Sequence, residues 1–264
     1  MPMLRIEQDA RGITTLTLDR PGQRNALSAE LVAKLTETLA TLAIDPAVRA
    51  IAFRGAGEVF CAGADIGEMR AAGAETQQAN EADSHRFATL LARLEAQPQP
   101  TLAIVHGAAY GGAIGLIAAC DIAIAAQSAR FALSEVRLGL IPAMISPYVI
   151  RAIGERQAHR WFLTGEAMDA ATALRIGLAH EVAEDAALPA AVEKLVVALL
   201  AGGPKAQSEI KRLLRRATGR GRESDDSLLA ETARWIARIR ASDEGREGLT
   251  AFLERRKPRW IRDE

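Results

Sequence analysis

Three segments hold residues whose types and spacing could do chemistry. In Phe60-Cys61-Ala62-Gly63-Ala64-Asp65-Ile66-Gly67-Glu68-Met69, small residues run directly into Asp65-x-x-Glu68. That pattern is an acidic variant of the capping box, so it predicts a helix start with free backbone N–H groups beside Ala64. Gly107-Ala108-Ala109-Tyr110-Gly111-Gly112-Ala113 joins a strand to an apolar helix, and the positive end of that helix faces whatever sits at Gly112. Together the two turns would supply two N–H donors to an oxyanion, and small residues are needed there to let a carbonyl reach the backbone. Taken singly, each reads first as a tight turn with close helix packing. The third segment, Arg130-Phe131-Ala132-Leu133-Ser134-Glu135-Val136-Arg137-Leu138-Gly139-Leu140-Ile141-Pro142, sets Glu135 among apolar neighbours. Desolvation there would raise its pKa towards the range a proton-transferring group needs. A salt bridge to Arg137 or another basic residue explains it equally well.

The elements that must position these groups alternate. Residues 4–8 and 13–18 read as a hairpin around Ala10, Arg11 and Gly12, ended by Asp19-Arg20-Pro21-Gly22. Ser28 is a candidate N-cap for a helix with Leu31, Leu35, Leu39 and Leu42 on one face, stopped at Asp45-Pro46. A buried strand at 50–54 leads through the first small-residue loop to a helix starting at Asp65. A polar stretch at 73–81 reads as a mobile lid, followed by a helix over 82–96. Strand 101–105, glycine turn 107–115, helix and strand 121–125 repeat one theme, which predicts an α/β layer fold with mostly parallel strands. From Leu188 the pattern is helical, with Leu228, Leu229, Thr232, Trp235, Ile236 and Ile239 on one face. Gly202-Gly203-Pro204 marks the expected boundary between a core at 1–201 and a helical region at 202–264.

Composition narrows the function. The 264 residues are 49% hydrophobic, enough for a buried core, and 33 basic residues balance 33 acidic ones. A global basic excess for nucleic acid is therefore missing. Cys61 and Cys120 lie far apart without a C-x-x-C, so neither a disulfide framework nor a zinc site is expected, and the cytoplasm is the natural compartment. The opening MPMLRIEQDA lacks the apolar run of a secretory signal, and residues 113–126, broken by Asp121, fall short of the about 20 residues that span a bilayer. No Walker-A loop, G-x-G-x-x-G, H-E-x-x-H or G-x-S-x-G occurs. His106 has no paired acid in view and receives no role.

The order and separation of these segments resemble the enoyl-CoA hydratase/isomerase, or crotonase, superfamily. The likeness runs from Arg20-Pro21 and Asn25-Ala26-Leu27 through Cys61-Ala62-Gly63-Ala64-Asp65, residues 107–112, Cys120-Asp121 and 131–142 to Leu163-Thr164-Gly165, 173–178 and 251–257. It implies a spiral of ββα units, a C-terminal helical trimerisation region and a homotrimer or a hexamer. It also implies an acyl-CoA thioester substrate whose carbonyl is held by the N–H groups of Ala64 and Gly112, with Glu135 as acid/base. Coenzyme A contacts are implied at Gln23, Arg24, Ala26, Leu27, Ala62, Asp65, Ile66, Tyr110, Gly111, Phe252 and Arg255. Arg255, Arg256 and Lys257 form a basic cluster suited to a 3′-phosphate, or an ordinary solvated helix end. No metal or redox cofactor is implied; coenzyme A is part of the substrate.

One departure stands out. Two-glutamate hydratases of the superfamily carry their first glutamate at the position that is Gly115 here. Single-glutamate members are often double-bond isomerases, so a Δ3-Δ2 enoyl-CoA isomerase is the alternative. Residues 107–116, 133–140, 152–156 and Pro142-Ala143-Met144-Ile145-Ser146-Pro147 resemble bacterial methylglutaconyl-CoA hydratases, which are similar in lacking that glutamate and in replacing a glycine-rich segment by Ala143 to Pro147. This implies hydration of 3-methylglutaconyl-CoA in leucine degradation, with Arg70, Arg86 or Arg137 meeting a distal carboxylate. Lys211, Arg212, Arg215 and Arg216 form a basic stripe, read as a solvated helix face. Its alternative is a non-catalytic member that binds acyl-CoA or RNA.

Overall fold

The computed structural model describes residues 3–72, 76–218 and 242–261. Strands β1 (Leu4–Gln8) and β2 (Ile13–Leu18) form the expected antiparallel hairpin, in register from Leu4 opposite Leu18 to Gln8 opposite Thr14. Helix α1 (Ala29–Ala43) starts where Ser28 Oγ accepts the Leu31 N–H at 3.3 Å. It buries the face formed by Leu31, Leu35, Leu39 and Leu42. Strand β3 (Ala50–Gly55) and helix α2 (Ile66–Ala72) follow. Helix α3 (Gln77–Glu95) begins five residues before the expected start at 82, so residues 77–81 are helical and not part of a mobile lid. The cause is a cap: Thr76 accepts the Ala79 N–H at 3.3 Å, which lets a polar first turn form.

Beyond α3 the chain winds between two sheets. Strand β4 (Thr101–Val105) lies in the large sheet and β5 (Ala108–Tyr110) in the small one, and helix α4 (Gly112–Ala119) returns the chain to the large sheet. The path repeats with β6 (Ile122–Ala126) in the large sheet and β7 (Arg130–Ala132) in the small one. A short 3-10 turn at Ser134–Leu138 then leads to α5 (Ser146–Ile153) and α6 (Glu155–Thr164). Strand β8 (Ala167–Asp169), helix α7 (Ala170–Ile176) and strand β9 (Glu181–Ala183) close it. The large sheet has the order β1-β2-β3-β4-β6-β9, parallel from β2 onward, and the small sheet β5-β7-β8. This is the expected α/β spiral of strand pairs and helices. Sequence reading placed β5 inside a glycine turn, because Ala-Ala-Tyr carries little strand preference of its own. Pairing with β7 makes it a strand.

Helix α4 is sheathed on nearly all sides, with Ala113, Ile114, Gly115, Leu116, Ile117 and Ala119 buried. It packs among Phe53, Phe60, Phe131 and the leucines of α1 and α3 in one continuous core. Helices α8 (Leu188–Ala201), α9 (Pro204–Thr218) and α10 (Asp243–Leu253) make the C-terminal region. The helical axis bends by 98° between α8 and α9, at Gly202-Gly203. No single helix among the described residues is long and apolar enough to cross a membrane. The apolar face expected around Trp235 lies outside the described residues. Trp260 returns to its own chain, donating to the Ala201 carbonyl at 3.2 Å, while Arg49 donates to the carbonyls of Trp260 and Gly202.

The basic stripe of α9 is not a uniformly solvated face. Lys211 is only 8% exposed, and its Nζ donates to Asp121 Oδ2 at 2.6 Å and to the Gln99 carbonyl at 2.9 Å. Arg212 pairs with Glu209, and Arg215 donates to the Glu95 carbonyl. Burial lowers the Lys211 pKa, outweighing the opposing pull of Asp121. The ammonium therefore depends on its carboxylate more than the carboxylate depends on it, since Asp121 also accepts the Thr101 N–H and hydroxyl. We expect Asp121→Asn to cost about 3 kcal/mol, the penalty for a buried charge left unpaired. Lys211→Met, which removes that charge, should cost less in urea unfolding. The reverse order would refute this account of how α9 is held.

Candidate active site

The two small-residue turns lie side by side, stitched by backbone pairing. Cys61 bridges Ala109 in parallel, its N–H donating to Ala108 O and its carbonyl accepting from Tyr110 N, both at 3.1 Å. On the other side Leu27 bridges Ala64: Leu27 N donates to Gly63 O at 2.8 Å and Asp65 N to Leu27 O at 3.2 Å. A parallel bridge uses the groups flanking Ala64 and leaves the Ala64 N–H itself unused. Gly63 has φ +94°, and a Cβ there would lie 2.6 Å from Tyr110 O and 3.6 Å from Gly112 N. Only glycine permits this approach.

At the second turn, Gly111 holds φ +50° as the N-cap of α4 and donates its N–H to Ala132 O at 2.9 Å. The next N–H, that of Gly112, is a helix-start donor with no acceptor among the described residues, as is the Ala64 N–H. Both sit in a backbone arrangement suited to an oxyanion. A Cβ on Gly112 would meet Phe87 Cζ at 3.3 Å and Leu27 Cδ1 at 3.4 Å, so apolar groups flank the donor.

The bond from Gly111 to Ala132 also brings in Glu135. With Tyr110 opposite Ala132 in the β5–β7 register, the 3-10 turn after β7 carries Glu135 over Gly111. A Cβ at Gly111 would stand 3.1 Å from Glu135 Oε1. Glu135 Oε2 is buried and has no hydrogen-bond partner. The salt-bridge reading is not realised: Arg137 packs under Gly165, whose Cβ would lie 3.3 Å from its Nε, and it acts on Glu166 instead. Desolvation raises the Glu135 pKa, with only its own backbone N–H opposing.

A scaffold of polar contacts fixes the neighbouring loop. Asn25, fully buried with φ +57°, accepts the Arg20 N–H through Oδ1 and donates through Nδ2 to the carbonyls of Ala56 at 2.8 Å and Val59 at 2.9 Å. Arg20 donates to Ala26 O at 2.6 Å and pairs with Asp65 Oδ2 at 3.3 Å. The carbonyl of Arg24 accepts from Ala62 N at 2.9 Å, and that of Gln23 from Ala26 N at 3.0 Å. These bonds tie the 23–27 loop to Ala62, Gly63 and Asp65, on either side of Ala64, while Ile66 opens α2 and Tyr110 and Gly111 precede Gly112. Asp65 caps α2, accepting from Gly67 N at 3.1 Å, but Glu68 does not complete a capping box. It accepts instead from Ala29 N at 2.7 Å, at the start of α1, because Asp65 N is already taken by Leu27 O.

Of the C-terminal candidates Phe252 and Arg255, only Arg255 has a described side chain. Arg255 is exposed and makes no hydrogen bond to the 23–27 loop, and the side chain of Phe252 lies outside the described residues. Arg256 is held by Glu247 and Glu254 and is not available as part of a basic cluster. Burial raises the Cys61 thiol to about 12, consistent with a filler beside the turn, and His106 is held by the Gly57 carbonyl at 3.0 Å. Sequence reasoning placed Arg20 and Asn25 in the family likeness without giving either a role, and did not single out Phe87. The Asn25-Ala26-Leu27 string drew attention to the loop, but nothing in it announced a buried amide.

The fold and this site define a crotonase-type architecture, and comparison with known proteins agrees. The family model for enoyl-CoA hydratase/isomerase matches residues 8–263. The chain belongs to that family. It is 40% identical to Pseudomonas aeruginosa AtuE, whose solved structure superposes with a TM-score of 0.93 over 99% of this chain and 100% of that one. An enoyl-CoA hydratase structure from Shewanella pealeana gives 39% identity and a TM-score of 0.92, covering 98% and 96% of the two chains. A Mycobacterium bovis protein described as a probable enoyl-CoA hydratase is 35% identical over 97% of this chain and 96% of its own.

The raised Glu135 pKa has a stability consequence that is independent of any activity. Below 4.5, the ordinary glutamate value, the carboxyl is protonated in both folded and unfolded chains. As pH rises through the higher folded pKa, the native state must ionise a desolvated group and loses stability relative to a neutral side chain. Glu135→Gln should therefore unfold at higher urea than wild type at pH 8, with the difference vanishing below pH 4.5. A glutamine variant less stable at pH 8 would contradict this reading.

Proposed function

We propose that the protein reversibly adds water to an α,β-unsaturated acyl-CoA thioester. The observation that carries this reading is the half-buried Glu135 against Gly111, its Oε2 buried without a hydrogen-bond partner, one residue from the Gly112 N–H, neither atom having a partner among the described residues. In the proposed reaction the thioester oxygen accepts from Ala64 N–H and Gly112 N–H. Glu135 draws a proton from water as its oxygen bonds to the β-carbon, and the π pair moves into an enolate held by the two donors. Glu135 then returns the proton to the α-carbon. The step balances with water alone and needs no metal or redox group. A dry setting around Phe87 and Leu27 strengthens the two N–H contacts.

Within this reading, 3-methylglutaconyl-CoA is the substrate favoured by the likeness of residues 107–116, 133–140 and 142–147 to hydratases acting on it. Of the basic residues considered for its distal carboxylate, Arg86 is paired with Asp83 at 2.6 Å and Arg137 lies under Gly165. Arg70, exposed at the end of α2 with no partner among the described residues, is the best placed. A trimer or hexamer is part of the proposal, supported by exposed Leu138, Ile141, Met144 and Leu163. The second reading, a double-bond isomerase, draws on the single carboxyl, since one base suffices to move a proton between two carbons. Lys211, buried against Asp121, is not available to the RNA-binding alternative, which is left with the arginines of the stripe.

Incubation with 3-methylglutaconyl-CoA and, separately, a 3-enoyl-CoA separates the readings by product mass. We expect a water-added product from the first, lost in Glu135→Gln. A mass-neutral shift of the second without hydration of the first would establish the isomerase instead. Gly112→Pro, at the first position of α4 where proline is tolerated, deletes one donor and puts a ring carbon where the thioester oxygen would sit. It should lower kcat by at least about 10²–10³, the usual cost of losing one oxyanion donor alone. An unchanged kcat would remove Gly112 from the mechanism.

A further inference from the structure

Gly115 sits in the interior of a buried helix, where glycine is destabilising relative to alanine, so its presence calls for a cause. A Cβ built there would stand 2.2 Å from Ile145 Cγ2, 2.9 Å from Ile145 Cβ and 3.6 Å from Leu91 Cδ1. Ile145 is 2% exposed and fixed in place: its carbonyl accepts from Tyr148 N at 3.1 Å and Val149 N at 3.0 Å at the start of α5. Position 115 lies three residues past Gly112, about 4.5 Å further along α4 at 1.5 Å per residue. Leu91 is four residues past Phe87 on α3, so the wall that begins at the free Gly112 N–H continues to Ile145 on the same pair of helices.

We infer that Ile145 and Gly115 form a reciprocal steric pair that determines specificity, the isoleucine filling the space in which any side chain at 115 would have to stand. The inference rests on the proposed acyl-CoA reading and deepens it. With Ile145 in place, position 115 admits no second ionisable group to share proton transfer with Glu135. A glutamate at 115 needs the isoleucine removed first. A carboxyl there would divide water activation and carbon protonation between two groups, easing hydration of a simple unbranched enoyl chain.

The steric half is read by thermal unfolding and needs no activity. Gly115→Ala should lower Tm in the wild-type chain, against the usual gain of alanine in a helix, and should raise it when added to Ile145→Gly, which removes both clashing carbons. A rise in both backgrounds would overturn the pairing. The specificity half is read with 2-butenoyl-CoA: Gly115→Glu combined with Ile145→Gly should exceed Ile145→Gly alone at least tenfold in kcat/KM for water addition. No gain, with the Tm reversal present, would overturn the specificity claim while leaving the packing intact. A wild type that hydrates no enoyl-CoA would instead sink the proposed function, and the Tm reversal would still decide the pairing.

Discussion

Two peptide N–H groups left without partners are the constraint around which the site is organised. Ala64 and Gly112 are half-buried, and neither N–H has an acceptor among the described residues, so the surrounding backbone is held by other bonds. The bridges of Leu27 to Ala64 and Cys61 to Ala109 do this, using the neighbouring peptide groups and aiming the unused ones outward from the pairing. The small sheet exists at this spot to carry one of the two turns. Its β5–β7 pairing in turn delivers Glu135 to Gly111. Donors and carboxyl are thus consequences of one register, and a slip of β7 by one residue would remove Glu135 from the cleft.

The site is held open at the expense of stability. Glu135 is desolvated without a counter-charge, and Gly111 and Gly63 hold positive φ that other residues rarely adopt. The compensation lies nearby: fully buried Asn25 gathers three loop segments, and Arg20 joins the Ala26 carbonyl to Asp65. The largest fully buried side chains, Phe53, Phe60 and Phe131, belong to the core beside the same segments. The C-terminal region is attached by different means, a buried lysine and carbonyl contacts to Arg49, so it can be altered without disturbing the two turns.

Much of this was legible before any coordinates. Leucines at helical spacing located α1, small residues before a capping pattern located the first turn and glycines before an apolar helix the second, because these signals are local. Glu135 was legible as a carboxyl among apolar residues, but its freedom from Arg137 was not, since that depends on Gly165 arriving from α6. The same limit explains Glu68, which caps α1 across 39 residues in place of its own helix. It also explains Lys211, whose partner Asp121 lies 90 residues away in the chain. The short strands β5, β7 and β8 were invisible because three residues are too few to show an alternation, and such strands draw their stability from pairing. Ile145 looked like one residue in an unusual segment, and only its position against Gly115 reveals why that glycine lacks a side chain.

The central claim is that one desolvated carboxyl, Glu135, handles the protons while two backbone donors hold the charge. The pH dependence of kcat/KM for hydration of an enoyl-CoA tests it most directly. Glu135 must be ionised to accept a proton from water, so activity should fall towards acid pH with unit slope through a single ionisation. Its midpoint should lie above the ordinary glutamate value of 4.5, because desolvation raises it. A slope of two, or a midpoint at or below 4.5, would contradict the account by showing that a second carboxyl, or a solvated one, does the work.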